Sequence, residues 1–410
     1  MNNLDGLIQK ENLAVLGTII KINRIQQNMS QQALSEGICV PSYLSKIENG
    51  EVVPSLEVIR LIFEELNIEY TDEYQFMKEM KEKLTSFFYE LNLNGFIKSK
   101  EIFKRLEQNE SKLVNSPLII DYYLAKLAFY CGTKDQEQFL KAKNTIQLVE
   151  EVLSNQQKHS FYFYEAINRF VKERNYSKSK EYLMLAKNYL ETGHLYYFLA
   201  NVEYKLGSYY GAVIYIEKAL KFYQDEVNII NISQSHQFQG LLIYELGTKD
   251  LYEEYFEKAI SYAKKINRND MELSALTLYL YIQMKEHKSN SKDLFYRINE
   301  ILSVEKTLFG YENTVKLLAL INNNEIEDLE KVQKLLVSKI ENKFYESLIT
   351  IFGNLSLTKN MDKEALEDLV NYYTQYEHPT LLFDLILNDL TIGYFERNRM
   401  YKQAYMHKKR

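Results

Sequence analysis

Residues 24–59 read RIQQNMSQQALSEGICVPSYLSKIENGEVVPSLEVI, and their punctuation divides them into short helices. Just upstream, Leu13, Leu16, Ile19, Ile20 and Ile22 recur at the spacing of one buried helical face, and Asn28 ends that helix. Ser30 is a good N-cap for the next, which runs through Gln31, Gln32, Ala33 and Leu34. Gly37 can take a left-handed conformation and stop it. Pro41 opens a third helix at a position where its missing N–H costs nothing, and Asn49-Gly50 closes that helix. Pro54 and Ser55 begin a fourth, with Leu56, Ile59, Leu61, Ile62 and Phe63 as its apolar residues. Leu34, Ile38, Leu44 and Ile47 are the expected core of this unit.

Two short helices joined by a tight turn and flanked by two more have the layout of a helix-turn-helix that reads DNA. The third helix then presents Ser42, Tyr43, Ser45 and Lys46 to the major groove. Gln31, at a helix start, is placed to meet a phosphate through its amide and the adjacent backbone N–H. Arg24 and Glu48 are expected to pair internally, so Arg24 is not assigned to bases. Residues 1–70 hold five lysines and arginines against nine acids, a net of −4. Non-specific affinity for double-stranded DNA is therefore weak, and binding calls for a homodimer or higher homo-oligomer on a palindromic operator.

The stretch MSQQALSEGICVPSYLSKIENGEVVPSLEVI resembles the Xre, or Cro/cI-type, helix-turn-helix. Within it, EGIC-x-PS-x-x-S-x-IE-x-G-x-x-x-PS is similar to the RRNPP group of peptide-pheromone receptors, which includes the neutral-protease regulators and the PlcR-type regulators. The resemblance implies a transcription regulator controlled by a short signalling peptide, as in quorum sensing. The remainder of the chain agrees with that group in length and architecture rather than in motif.

Beyond residue 80 the chain is self-similar at a period near that of the tetratricopeptide repeat. Residues 196–220, YYFLANVEYKLGSYYGAVIYIEKAL, place Leu199, Gly207, Tyr209, Ala212, Ala219 and Leu220 where such a repeat wants them. Residues 236–260 repeat the pattern with Gly240, Gly247, Phe256 and Ala259, and residues 163–186 with Ala166, Phe170, Tyr176 and Ala186. The period is loose, 33 residues from Ala186 to Ala219 and 40 from Ala219 to Ala259. Fainter units are expected at 82–110 (on Asn94, Phe96 and Phe103), 116–153, 270–305, 307–343, 344–378 and 379–410. The fold class expected is all-α: a helix-turn-helix domain over 12–70, a linker helix over 71–82, and about nine helical pairs over 83–410 forming a right-handed superhelix with a concave groove.

First helices of such pairs line the groove. Asn168 and Asn201 fall at the same position in successive first helices. An asparagine amide pairs with both C=O and N–H of an extended backbone, so the two can hold a peptide without demanding its sequence. In the resembled group, asparagines of this kind grip the signalling peptide. The same register aims Tyr164, Tyr197, Tyr204, Gln237 and Tyr244 inward, and brings Lys172 and Lys205 to a wall where they can meet a peptide carboxylate. The plain alternative is a scaffold whose groove residues are merely solvated.

Composition limits the other readings. A 410-residue chain with 46% hydrophobic and 26% charged residues is globular, and it is long enough for more than one core. Only four prolines and fourteen glycines favour helix throughout. No apolar run reaches membrane-spanning length, and MNNLDGLIQKEN lacks the build of a secretory signal, so a cytoplasmic protein is expected. Cys39 and Cys131 form no CxxC pair, and the six histidines form no HxxxH or HExxH, so neither metal nor cofactor is expected. No phosphate loop or nucleophile elbow is present, and the chain does not read as an enzyme. Two alternatives stay open: a repeat domain that controls a response regulator, and a phage or plasmid repressor without a peptide ligand.

Overall fold

The computed structural model describes residues 12–93, 96–248, 251–286, 291–304, 351, 363–375 and 381–408, and among these the regular structure is helical, with no strand. They divide into two compact units, Met1–Val202 and Glu203–Arg410.

The first unit begins with four helices, α1 (Leu13–Gln26), α2 (Gln31–Ser35), α3 (Pro41–Glu48) and α4 (Leu56–Glu65). Their ends follow the local chemistry. Ser30 Oγ accepts from Ala33 N–H at 3.0 Å and Ser55 Oγ from Val58 N–H at 3.3 Å, each satisfying a donor that the helix start leaves open. Gly37 and Gly50 take φ of 75° and 70°. Leu16, Ile19, Ile20, Leu34, Leu44, Ile47, Ile59 and Ile62 are buried together. Ile38 is only half-buried, because α2 ends at Ser35 and leaves it in the turn.

Helix α5 (Tyr74–Asn92) runs unbroken through the boundary expected between linker and repeats. Met80, Leu84 and Phe87 form one buried stripe at helical spacing. Phe87 meets Phe103 of α6 (Phe96–Glu107) at 5.7 Å between ring centroids, so α5 is already the first helix of a pair. Short α7 (Glu110–Leu113) leads to the pairs α8 (Ile119–Thr133) with α9 (Gln136–Gln147), and α10 (Asn155–Val171) with α11 (Tyr176–Lys187). Ala166 and Ala186 are fully buried, and Ser179 Oγ donates to Ala166 O at 2.8 Å. Helix α12 (Gly193–Lys205) carries the boundary between the two units.

The second unit continues with α13 (Tyr209–Asp225), α14 (Ile229–Glu245), α15 (Leu251–Lys265), α16 (Asn269–Lys285) and α17 (Ser291–Val304), then α18 (Lys363–Gln375), α19 (Leu381–Arg397) and α20 (Tyr401–Lys408). The repeat signature acts by close approach. A Cβ on Gly240 would sit 2.9 Å from the Phe256 ring, and Phe256 in turn stacks on Tyr279 at 5.1 Å. Ala212, Ala219 and Ala259 are fully buried. The unit expected at 307–343 lies outside the described residues, as do Asn94 and most of 344–378.

Candidate DNA-reading and ligand-binding faces

Helix α3 separates its two faces cleanly. Leu44, Ile47 and Glu48 are buried, Ser42 and Lys46 are exposed, and Tyr43 and Ser45 are half-buried. The expected internal pair forms: Arg24 Nε donates to Glu48 Oε1 at 2.6 Å and Nη2 to Oε2 at 2.9 Å, while Nη1 donates to Met29 O at 2.8 Å. Gln31 differs from the sequence reading. Its Nε2 donates to Glu48 Oε2 at 2.8 Å, so the amide expected on a phosphate is committed inside the unit. One carboxylate thus ties α1, α2 and α3 together. Glycine 17 was not singled out by sequence: a Cβ there would lie 2.4 Å from Glu48 O and 2.6 Å from Ile47 O, so α1 and α3 touch backbone to backbone.

In the repeats of the first unit, Tyr164, Asn168 and Lys172 follow one another at turn spacing on α10 and at its end. Asn168 is 4% exposed, and no hydrogen bond is formed by its side chain. Asn201 is half-buried, and its Nδ2 donates to Tyr197 O at 2.9 Å, which partly commits the second asparagine. Tyr164 is buried, Tyr197 half-buried and Lys172 exposed. Burial pushes the Tyr197 hydroxyl up to about 12. A cavity of 570 Å³ opens among α5, α8, α10 and the turn before α12. Leu84, Phe88, Leu124, Phe163 and Tyr164 line it with apolar surface, and Lys81, Asp121, Gln157, His159 and His194 add polar groups. Burial lowers both histidines, keeping them neutral.

Four expected groove residues of the second unit are already engaged within it. Lys205 Nζ pairs with Asp384 of α19 at 2.8 Å. Gln237 Nε2 donates to Ser274 O and Oγ at 3.2 and 3.1 Å. Tyr204 is buried, and its ring meets Phe238 at 5.7 Å. The Tyr244 ring lies under Lys285 Nζ at 5.5 Å, and Lys285 also pairs with Asp389 at 2.8 Å. Lys205 therefore does not stand free for a peptide carboxylate, because α19 folds back and supplies its own.

The same seam half-buries Glu245. Desolvation, then the nearby Asp389 carboxylate, raise it to about 7, with Lys285 and Tyr209 opposing. A carboxyl whose pKa is raised on folding stabilises fully below its ordinary 4.5, and that contribution is lost as pH climbs through 7. Denaturation of the second unit at pH 5 and pH 8 is expected to show a smaller pH-dependent loss in Glu245→Gln than in the unaltered chain.

Residues 20–72 match the family described as Helix-turn-helix. These residues form a helix-turn-helix domain. The chain is 23% identical over 402 residues to the Transcriptional activator NprA of Geobacillus stearothermophilus, covering 90% of this chain and 91% of that protein. Among solved structures it is similar to NprR in complex with its cognate peptide NprX, with a TM-score of 0.52 at 16% identity, covering 80% of this chain and 98% of that one. It is also similar to a Rap protein complexed with Competence and Sporulation Factor, with a TM-score of 0.55 at 14% identity over 80% and 95% of the two chains. These likenesses show the fold: a helix-turn-helix domain followed by helical repeats. No helix of the described residues is long and apolar enough to cross a membrane, and no group of three or more His, Cys, Asp or Glu among them can hold a metal ion.

Proposed function

We propose that the chain is a cytoplasmic DNA-binding transcription regulator whose repeat domain senses a short signalling peptide. It acts as a homodimer on a palindromic operator, with Ser42, Tyr43, Ser45 and Lys46 facing the major groove and the first turn of α2 near the phosphates. The observation that carries the peptide half is Asn168, 4% exposed on α10, one turn from Tyr164 on one side and from Lys172 on the other. An asparagine amide pairs with both the C=O and the N–H of an extended peptide backbone. On the neighbouring α12, which meets α10 through Phe198 against Phe163 and Phe170, Tyr197 and Asn201 lie one turn apart. The relative NprA is by its name a transcriptional activator, and the structure of NprR holds a peptide, which supports the same reading.

Calorimetry with the peptide encoded beside the gene tests it. Heat is expected from the unaltered chain. Asn168→Ala is expected to weaken binding about tenfold, and Asn201→Ala less, because Asn201 also serves its own helix. No heat at all would reject the peptide reading. For the reader, Lys46→Ala is expected to weaken specific DNA binding about tenfold and Ser42→Ala less, neither moving the melting midpoint. Unchanged anisotropy titrations with an operator selected by the unaltered chain would remove α3 from the groove.

A further inference from the structure

The helix-turn-helix domain does not hang from the repeats of its unit by a linker alone; it is hydrogen-bonded to them. Asn23 Nδ2 donates to Asn115 Oδ1 at 3.1 Å, Gln26 Nε2 to Tyr123 Oη at 2.6 Å, and Thr71 N–H to Asn115 O at 3.0 Å. Tyr123 sits just past the first turn of α8 and is buried. Asn23 and Gln26 sit in the last turn of α1, the same turn that sends Arg24 to Glu48 on α3. The end of α1 is therefore clamped on one side to the repeats and on the other to the reading helix.

The start of α8 is held from a second direction. Asp121, two residues before Tyr123 and so on a different side of the helix, accepts from Gln157 Nε2 of α10 at 2.8 Å. Asp121 and Gln157 both line the 570 Å³ cavity. Gln157 and Asn168 lie eleven residues apart on α10, three helical turns, and so share a face. A continuous run of polar contacts thus joins the Asn168 face to the reading helix: α10 to Asp121, α8 to Gln26, α1 to Glu48.

We infer that the start of α8 is the joint through which occupancy of the α10 face sets the aim of the reading helix. The inference rests on the proposed ligand face and adds how its state reaches the DNA reader. A ligand that draws α10 inward alters the Gln157–Asp121 contact, turns the start of α8, and loosens or tightens Tyr123 on Gln26. Differential affinity for the two arrangements is then what moves DNA affinity.

The Thr71 amide reports the seam, because its N–H bonds to Asn115 across it. Hydrogen exchange on the full chain, without ligand, is compared for Tyr123→Phe, Gln157→Leu, Asp121→Ala and the surface control Lys141→Ala. Tyr123→Phe removes the hydroxyl that Gln26 uses. Gln157→Leu also removes half of the capping box at Ser154, whereas Asp121→Ala leaves that box whole. Thr71 exchange is expected to rise about fivefold in Tyr123→Phe, the loss of one ordinary hydrogen bond, and to rise in the two α10–α8 variants as well. The core amide of Leu44 and the Lys141→Ala chain are expected to stay unchanged. If Tyr123→Phe leaves Thr71 unchanged, the seam is not a clamp. If Tyr123→Phe raises it while Asp121→Ala and Gln157→Leu do not, the α10 face is not linked to the reader. Neither result depends on a peptide, so a failure here is separate from a silent calorimetry experiment.

Discussion

Glu48→Ala is expected to destabilise the helix-turn-helix domain by about 3–5 kcal/mol, the cost of breaking a buried ion pair by removing one partner. Glu48 is 3% exposed and Arg24 is 8% exposed, so water cannot replace what is lost. The substitution leaves the guanidinium with only its bond to Met29 O, and it also strands the Gln31 amide. Three helices lose their common tie, so DNA binding disappears together with the fold of the unit. Glu48→Gln keeps an acceptor for one partner and fills the same space, so a smaller loss is expected. Urea denaturation followed by a probe in the first seventy residues separates the two. A Glu48→Ala chain that unfolds at the unaltered midpoint would show that the pair contributes nothing net.

What sequence disclosed and what it hid divide along physical lines. Ser30, Pro41, Ser55, Gly37 and Gly50 mark helix ends because capping and left-handed turns are decided within about four residues, and each acts as read. Leu34, Leu44 and Ile47 are buried because helical period reveals a face; Ile38 is not, because α2 stops a turn before it. The Arg24–Glu48 pair was legible from the layout of the module, but the claim of Glu48 on Gln31 was not, since three groups compete for one carboxylate and only geometry apportions them. Lys205 shows the wider limit. Register alone sends it to the groove wall, yet Asp384 reaches it from 179 positions later in the chain, and no repeat pattern predicts a helix returning from that distance. Gln26 and Tyr123 are separated by 97 positions, and neither residue type advertises the contact. Asn168 was found by register, and its burial emerged only from the packing around it.

Gly17→Ala is expected to cost the same domain about 3 kcal/mol, at the upper end for overpacking. The added methyl would meet the carbonyl oxygens of Glu48 and Ile47 at 2.4 and 2.6 Å, and both are backbone atoms at the end of a helix, with no rotamer to turn aside. Relief requires α1 to withdraw from α3 as a body. Arg24 lies seven residues further along α1, two turns on and so on the same face, so the withdrawal also stretches its bonds to Glu48. Gly240→Ala is the informative comparison. There the methyl meets only the side-chain ring of Phe256, at 2.9 Å, and a ring can tilt, so about 1 kcal/mol is expected. Measured on the full chain, Gly17→Ala is expected to lower the melting midpoint of the N-terminal domain and to weaken DNA binding, while Gly240→Ala leaves DNA binding intact. Equal losses from the two would mean that α1 and α3 have room to separate, and that the reading helix is not held by backbone contact.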